Sequence, residues 1–126
     1  MGDRGNILIK QRGDSGSPAE YIYLYTHWEG RELPGTLQNA LKKQWRWQDE
    51  SYLARIIFQQ MVGDDKGETG YGISAYEIDG GHPYLIVDCE EQTVGVAPRK
   101  KPGEIQKRWT FEDFIKLNIE KEFKDF

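Results

Sequence analysis

Residues 21–28 read Tyr-Ile-Tyr-Leu-Tyr-Thr-His-Trp, β-forming side chains that alternate with a period of two. Tyr21, Tyr23, Tyr25 and His27 fall on one face; Ile22, Leu24, Thr26 and Trp28 fall on the other. Such a strand must be paired along its edges and covered on its aliphatic face, so an all-helical fold is excluded. A partner is at hand. Asn6 to Gln11 reads as a short strand with Ile7 and Ile9 on one face, joined to the first through the Gly-, Ser- and Pro-containing loop Arg12 to Pro18. The Arg12-Gly13-Asp14 triplet in that loop is turn chemistry, not an adhesion motif.

Two helices are expected next. Leu33, Leu37, Ala40 and Leu41 recur at helical spacing behind Pro34, which suits a first turn. Gln44 to Gln48, with Trp45 and Trp47, forms the connection. Asp49 is a good N-cap for a second helix, whose buried stripe would be Leu53, Ile56, Ile57 and Met61 and whose end is set by Gly63. Arg55 would lie on its solvated flank with Ser51 and Gln59. A polar loop over 63–70 leads to three strand-like runs, 71–78, 84–89 and 93–97, with connections short enough for an antiparallel meander. Arg99 to Arg108 reads as a basic loop. Thr110, with Asp113 three residues on, caps a last helix, and Trp109 and Phe114 stand as a hydrophobic staple. Phe123 and Phe126 leave the charged tail able to dock. The expected architecture is one α+β domain over 1–126, element order ββααβββα: a five-stranded, mainly antiparallel sheet with helices on one face.

With 17 Lys plus Arg against 21 Asp plus Glu, the net charge of −4 supplies no bulk field for nucleic acid or an anionic membrane. Bulk DNA or RNA binding and membrane association are therefore not expected. No apolar run is long enough to span a bilayer, and the N-terminal residues lack a secretory h-region. The single Cys89, in the apolar run 84–89, reads as a buried structural thiol of a cytoplasmic protein. His27 and His82 are far apart in sequence, and no His/Cys/Asp cluster has metal spacing. No cofactor, metal or catalytic residue is assigned.

Three segments carry residues suited to ligand binding. Tyr25, His27 and Trp28 sit at the end of the main strand, where rings crowd a loop rim; a good stack of a nucleobase on such a ring is worth about 1–3 kcal/mol. In Glu68-Thr69-Gly70-Tyr71-Gly72, two glycines around Tyr71 let backbone approach a ligand closely, although the run is no phosphate-binding fingerprint. In Gly2-Asp3-Arg4-Gly5-Asn6, Arg4 suits a bidentate phosphate contact, or equally a carboxylate within the fold. The candidate ligand-binding set is Arg4, Asn6, Tyr25, His27, Trp28, Glu68 and Tyr71.

Gly2-Asp3-Arg4-x-Asn6, the segment 23–34 (Tyr-Leu-Tyr-Thr-His-Trp-x-Gly-x-Glu-Leu-Pro), Tyr52-Leu53-Ala54-Arg55-Ile56-Ile57-Phe58 and Glu68 to Ser74 resemble a family of small uncharacterised proteins. These are encoded in tailed phages and in bacterial genomes that carry prophages. The resemblance spans most of residues 2–89 and implies context without mechanism. That context points to small oligomeric proteins that sequester or cleave host nucleotide immune signals, acting in the host cytoplasm. The expected function is sequestration of a small nucleotide-derived ligand by a homo-oligomer. The alternatives are a hydrolase of such a ligand, using His27 with a carboxylate such as Asp88 or Glu68, and a module that binds a host protein through exposed Trp and Tyr residues.

Overall fold

The structure, a computed structural model, describes every residue except 1, 14, 15 and 17. The Arg-Gly-Asp triplet therefore ends outside the described residues. Six strands form one mixed sheet: β1 (Gly5–Gln11), β2 (Glu20–Thr26), β3 (Tyr71–Ser74), β4 (Tyr84–Asp88), β5 (Thr93–Ala97) and β6 (Lys107–Thr110). Four helices accompany them: α1 (Leu33–Lys42), α2 (Glu50–Val62), and the single turns α3 (Phe111–Phe114) and α4 (Ile119–Glu122). The α+β class holds, but the strand count is six, not five, and the order is ββααββββαα. The added strand, β6, was hidden at the end of the basic loop. Its Lys107 and Arg108 are exposed because it is an edge, where charged side chains suit a strand that must not pair further.

The spatial order β3-β2-β1-β4-β5-β6 replaces the expected meander. Four of the pairings are antiparallel, while β1 and β4 pair in parallel, with Leu8 opposite Ile86. β3 does not pair with β4. It adds to the outer edge of β2, with Tyr25 opposite Gly72 and Thr26 opposite Tyr71. The chain must then recross β2 and β1 to begin β4, and residues 75–83 make that crossing over the face opposite the helices.

The two sheet faces differ as the alternation of β2 requires. On one, Ile7, Ile9, Leu24, Leu85, Val87 and Val94 pack against buried residues of α1, α2 and α3, including Leu37, Leu53, Ile57 and Phe111. On the other, Leu8, Tyr84, Ile86 and Ala97 form a smaller cluster with Tyr21, Tyr23 and Ile105. The face carrying Tyr23 is thus no open platform: its ring meets Tyr84 edge-on at 5.7 Å. Ile56, expected in the α2 stripe, is only partly buried, whereas Leu53, Ile57 and Met61 are buried.

Local signals fared well. Asp49 accepts from the Tyr52 N–H, Gly63 ends α2 at φ 57°, and Thr110 accepts from the Asp113 N–H. The staple rings of Trp109 and Phe114 lie 5.7 Å apart. The tail does dock: Phe123 packs on Trp109 and Phe114, and Phe126 stacks on His82. Among the described residues no helix is long and apolar enough to cross a membrane.

Phe114 is fully buried between Trp109 and Phe123. Phe114→Ala is expected to cost about 3–5 kcal/mol, the range for truncating a buried phenylalanine. Urea unfolding followed by circular dichroism checks this.

Candidate functional site

The recrossing segment 75–83 brings polar groups over the start of β1. The Gly81 N–H donates to the Arg4 carbonyl, and Asn6 Nδ2 donates to the Asp79 carbonyl at 2.7 Å. The Arg4 guanidinium pairs with the Asp79 carboxylate. That bond, joined by the Gly80 N–H, holds the Asp79 carboxyl below its ordinary range. Asn6 is fully buried, and its Oδ1 has no protein hydrogen-bond partner. A buried acceptor without a donor is costly.

Gly80 makes the close crossing feasible. A Cβ on Gly80 would stand 2.9 Å from Glu77 Oε1 and 3.1 Å from both Arg99 Nε and Asn6 Nδ2. Glu77 anchors the same segment from its other side, accepting from Arg99 Nε at 2.7 Å and from the Tyr84 hydroxyl at 3.1 Å. Burial, with help from Glu77, pushes the Tyr84 phenol up to about 12. Next along, His82 is hydrogen-bonded through Nε2 to Asp3 and through Nδ1 to the Phe126 carbonyl at 3.0 Å. Burial raises the Asp3 carboxyl, but hydrogen bonds from His82 and from the Arg31 N–H outweigh it, and the net shift is downward.

From this polar cluster a row of rings runs round the end of β2. Tyr25 to His27, His27 to Trp28 and Trp28 to Tyr71 are separated by 6.4, 5.9 and 6.0 Å between ring centres. The Tyr25 hydroxyl is hydrogen-bonded to His27 Nδ1 at 2.9 Å. Tyr25 itself is buried, and burial followed by the Asp79 charge raises its phenol. It positions His27 and offers no open face. Trp28 is 47% exposed, seated on Gly70, where a Cβ would lie 2.1 Å from the indole and φ is 96°. The Tyr71 hydroxyl donates to Glu29 at 2.9 Å, and burial with that carboxylate pushes its phenol up to about 12.

Six of the seven candidates therefore lie on one continuous rim: Arg4, Asn6, Tyr25 and His27 on the helix-free side, Trp28 and Tyr71 around the strand end. Glu68 is exposed, and among the described residues no side-chain hydrogen bond or ion pair involves it. Asp88, a proposed partner for His27, sits at the opposite end of the sheet beside Lys10. Asp79, Glu77 and Arg99 organise the cluster, yet Asp79 to Pro83 reads in sequence as a plain turn; Gly80 is the one signal there of close backbone approach.

A groove of about 460 Å³ lies away from this rim, at the far end of β1, lined by Lys10, Arg12, Glu50, Asp88, Cys89 and Glu91 among others. Its Cys89 is buried, and burial first, then Glu50 and Asp88, pushes the thiol up to about 12, away from the reactive thiolate. Among the described residues no group of three or more His, Cys, Asp or Glu is placed to hold a metal ion.

Arg4→Ala is expected to move the Asp79 carboxyl back up toward 3.8, readable by NMR titration of its side-chain carbon. The folded value of Asp79 lies below the unfolded one. The pair therefore contributes stability above about pH 3.9 that is lost as pH falls through the folded value. The stability gap between the wild type and Arg4→Ala should narrow on acidification.

Comparison of this chain with protein-family models, with curated proteins and with solved structures gives no match.

Proposed function

We propose that this chain binds and sequesters a small nucleotide-derived signalling ligand without transforming it, as a phage-type anti-defence protein. The observation that carries this reading is the row of rings from Tyr25 through His27 and exposed Trp28 to Tyr71, with the half-exposed Arg4 guanidinium beside Tyr25. A base finds a stacking surface on Trp28 flanked by His27 and Tyr71, and a phosphate competes with Asp79 for Arg4.

The surroundings of His27 do not support the hydrolase reading that pairs it with a carboxylate. Its Nδ1 faces a phenol, not a carboxylate, and Gly2 lies against its Nε2. An acid–base pair of the kind a hydrolase would use is therefore not assembled on it. The resemblance to phage and prophage proteins supplies the biological context. It carries with it a homo-oligomer acting in the cytoplasm, that of the host cell where the chain is phage-encoded.

The test is calorimetric titration with cyclic nucleotides and ADP-ribose derivatives, followed by chromatography of the ligand after denaturation. One member of the panel should bind and be recovered intact. Trp28→Ala and Arg4→Ala should each weaken it by about tenfold or more, as expected for one stacked ring or one charge-assisted pair. A flat response across the panel overturns the reading, and recovery of a cleaved product replaces it with the hydrolase.

A further inference from the structure

Between Leu33 and Gly63 the only carboxylates are Asp49 and Glu50, against the cations Lys42, Lys43, Arg46 and Arg55. This inverts the balance of a chain whose net charge is −4. Both acids are engaged: Asp49 caps α2, and Glu50 pairs with Arg12. Among the described residues none of those four cations forms an ion pair. The α1–α2 layer therefore presents positive charge that the fold itself leaves without a counter-anion.

Beside those cations lie rings that the core does not use. Trp47 packs on the core, edge-on to Phe111 at 5.4 Å, with its Nε1 donating to the Leu41 carbonyl. Trp45, two residues earlier, is instead 59% exposed, and Tyr52 is 54% exposed. Gln44 and Arg46, on either side of Trp45, both hold φ 57°, a left-handed conformation unfavourable for residues that bear a side chain. Tyr52, Arg55, Ile56 and Gln59 follow at intervals that place them on one stripe of α2. With Trp45 and Arg46 they line a groove of about 420 Å³ that shares no residue with the rim. Lys43 Nζ sits 5.3 Å over the Trp45 ring and the Arg46 guanidinium 4.9 Å over the Tyr52 ring.

We propose that this groove docks an acidic peptide segment of a partner protein. An apolar side chain of the peptide packs against Trp45, Tyr52 and Ile56, and its flanking carboxylates pair with Arg46 and Arg55. The planar guanidinium suits such pairing because it can lie over a ring and still offer two parallel N–H donors to a carboxylate. Recognition of acidic motifs by clustered arginines recurs among peptide-binding surfaces, and Trp, Tyr and Arg dominate interface energetics. A second copy of this same face is disfavoured, because it would bring like cations together. A nucleic-acid strand fits less well, because the cationic stretch is short and acids bound it. Tyr52 to Gln59 rises only about 10 Å along the helix. Exposed Glu90 and Glu91 share a groove with Glu50 of the first turn of α2. Beyond the other end, residues 64–68 set Asp64, Asp65 and Glu68 against Lys66. Phosphates continuing along the helix in either direction approach those carboxylates, whereas a peptide can carry its charges only where the cations are.

Fluorescence anisotropy of the full chain with the labelled peptide Glu-Glu-Leu-Phe-Glu-Glu tests the proposal. Binding should be saturable and should weaken as salt is added. Arg46→Glu combined with Arg55→Glu should weaken it by about tenfold or more, the scale of lost charge-assisted pairs, with an unchanged circular-dichroism spectrum. That variant should bind Lys-Lys-Leu-Phe-Lys-Lys more tightly than the wild type does, which a merely misfolded chain could not do. Trp45→Ala, and replacement of Leu-Phe by Ser-Ser in the peptide, should each weaken binding by about fivefold or more. Arg108→Glu, which reverses an exposed cation on β6, should leave binding unchanged. No binding at millimolar peptide, indifference to reversal of Arg46 and Arg55, or equal binding of the Ser-Ser peptide overturns the proposal. So does an oligothymidylate bound more tightly than the acidic peptide and released by the same reversal, a result that assigns the groove to nucleic acid.

Discussion

The parallel pairing of β1 with β4 is the constraint on which the rest of the fold depends. Ile7, Leu8 and Ile9 have no solvent exposure, so β1 is covered on both faces as well as flanked on both edges. Its odd positions face the helices and its even positions face the smaller cluster around Tyr84. A parallel pair cannot be closed by a tight turn. Here the chain between β1 and β4 supplies β2, both long helices and β3 before it returns. The hydrophobic burial of β1, at about 25 cal/mol per Å² of apolar surface, is what makes so long a loop closure favourable.

The candidate site is a consequence of that closure. Because β3 sits beyond β2, residues 75–83 must pass back over two strands, and they do so across the helix-free face. Glu77, Asp79 and His82 then fall in turn on Tyr84 with Arg99, on Arg4 with Asn6, and on Asp3. Each contact fixes the crossing at one point, and the Asp79 carboxylate comes close enough to buried Tyr25 to help raise its phenol. The rim that would hold a ligand is thus built by a topological necessity and decorated by Asp3, Arg4 and Asn6.

What could be read beforehand was what is local. The two faces of β2, the caps at Asp49 and Thr110, the Gly63 stop and the Trp109–Phe114 staple each depend on neighbours within a few residues. The misreadings all involve distant partners. The runs at 71 and 84 look like hairpin neighbours because their connection is short, yet β3 finds a better edge on β2. β6 is masked by Lys107 and Arg108, charges that belong there only once its edge position is known. Ile56 has core composition and helical spacing and does pack against the core, but it is only partly buried because it also lines the groove with Trp45 and Tyr52. Arg4 was legible as a residue seeking an anion; that its anion in the folded chain is Asp79 was not.

The sheet order is the central claim, since both the crossing and the rim follow from it. Nuclear Overhauser contacts between backbone protons of neighbouring strands test it directly. Contacts linking β1 to β4 around Leu8 and Ile86, together with contacts linking Tyr25 to Gly72, are predicted. Contacts that pair 71–74 against 84–88 as a hairpin would contradict the order and, with it, the route of residues 75–83 over the start of β1.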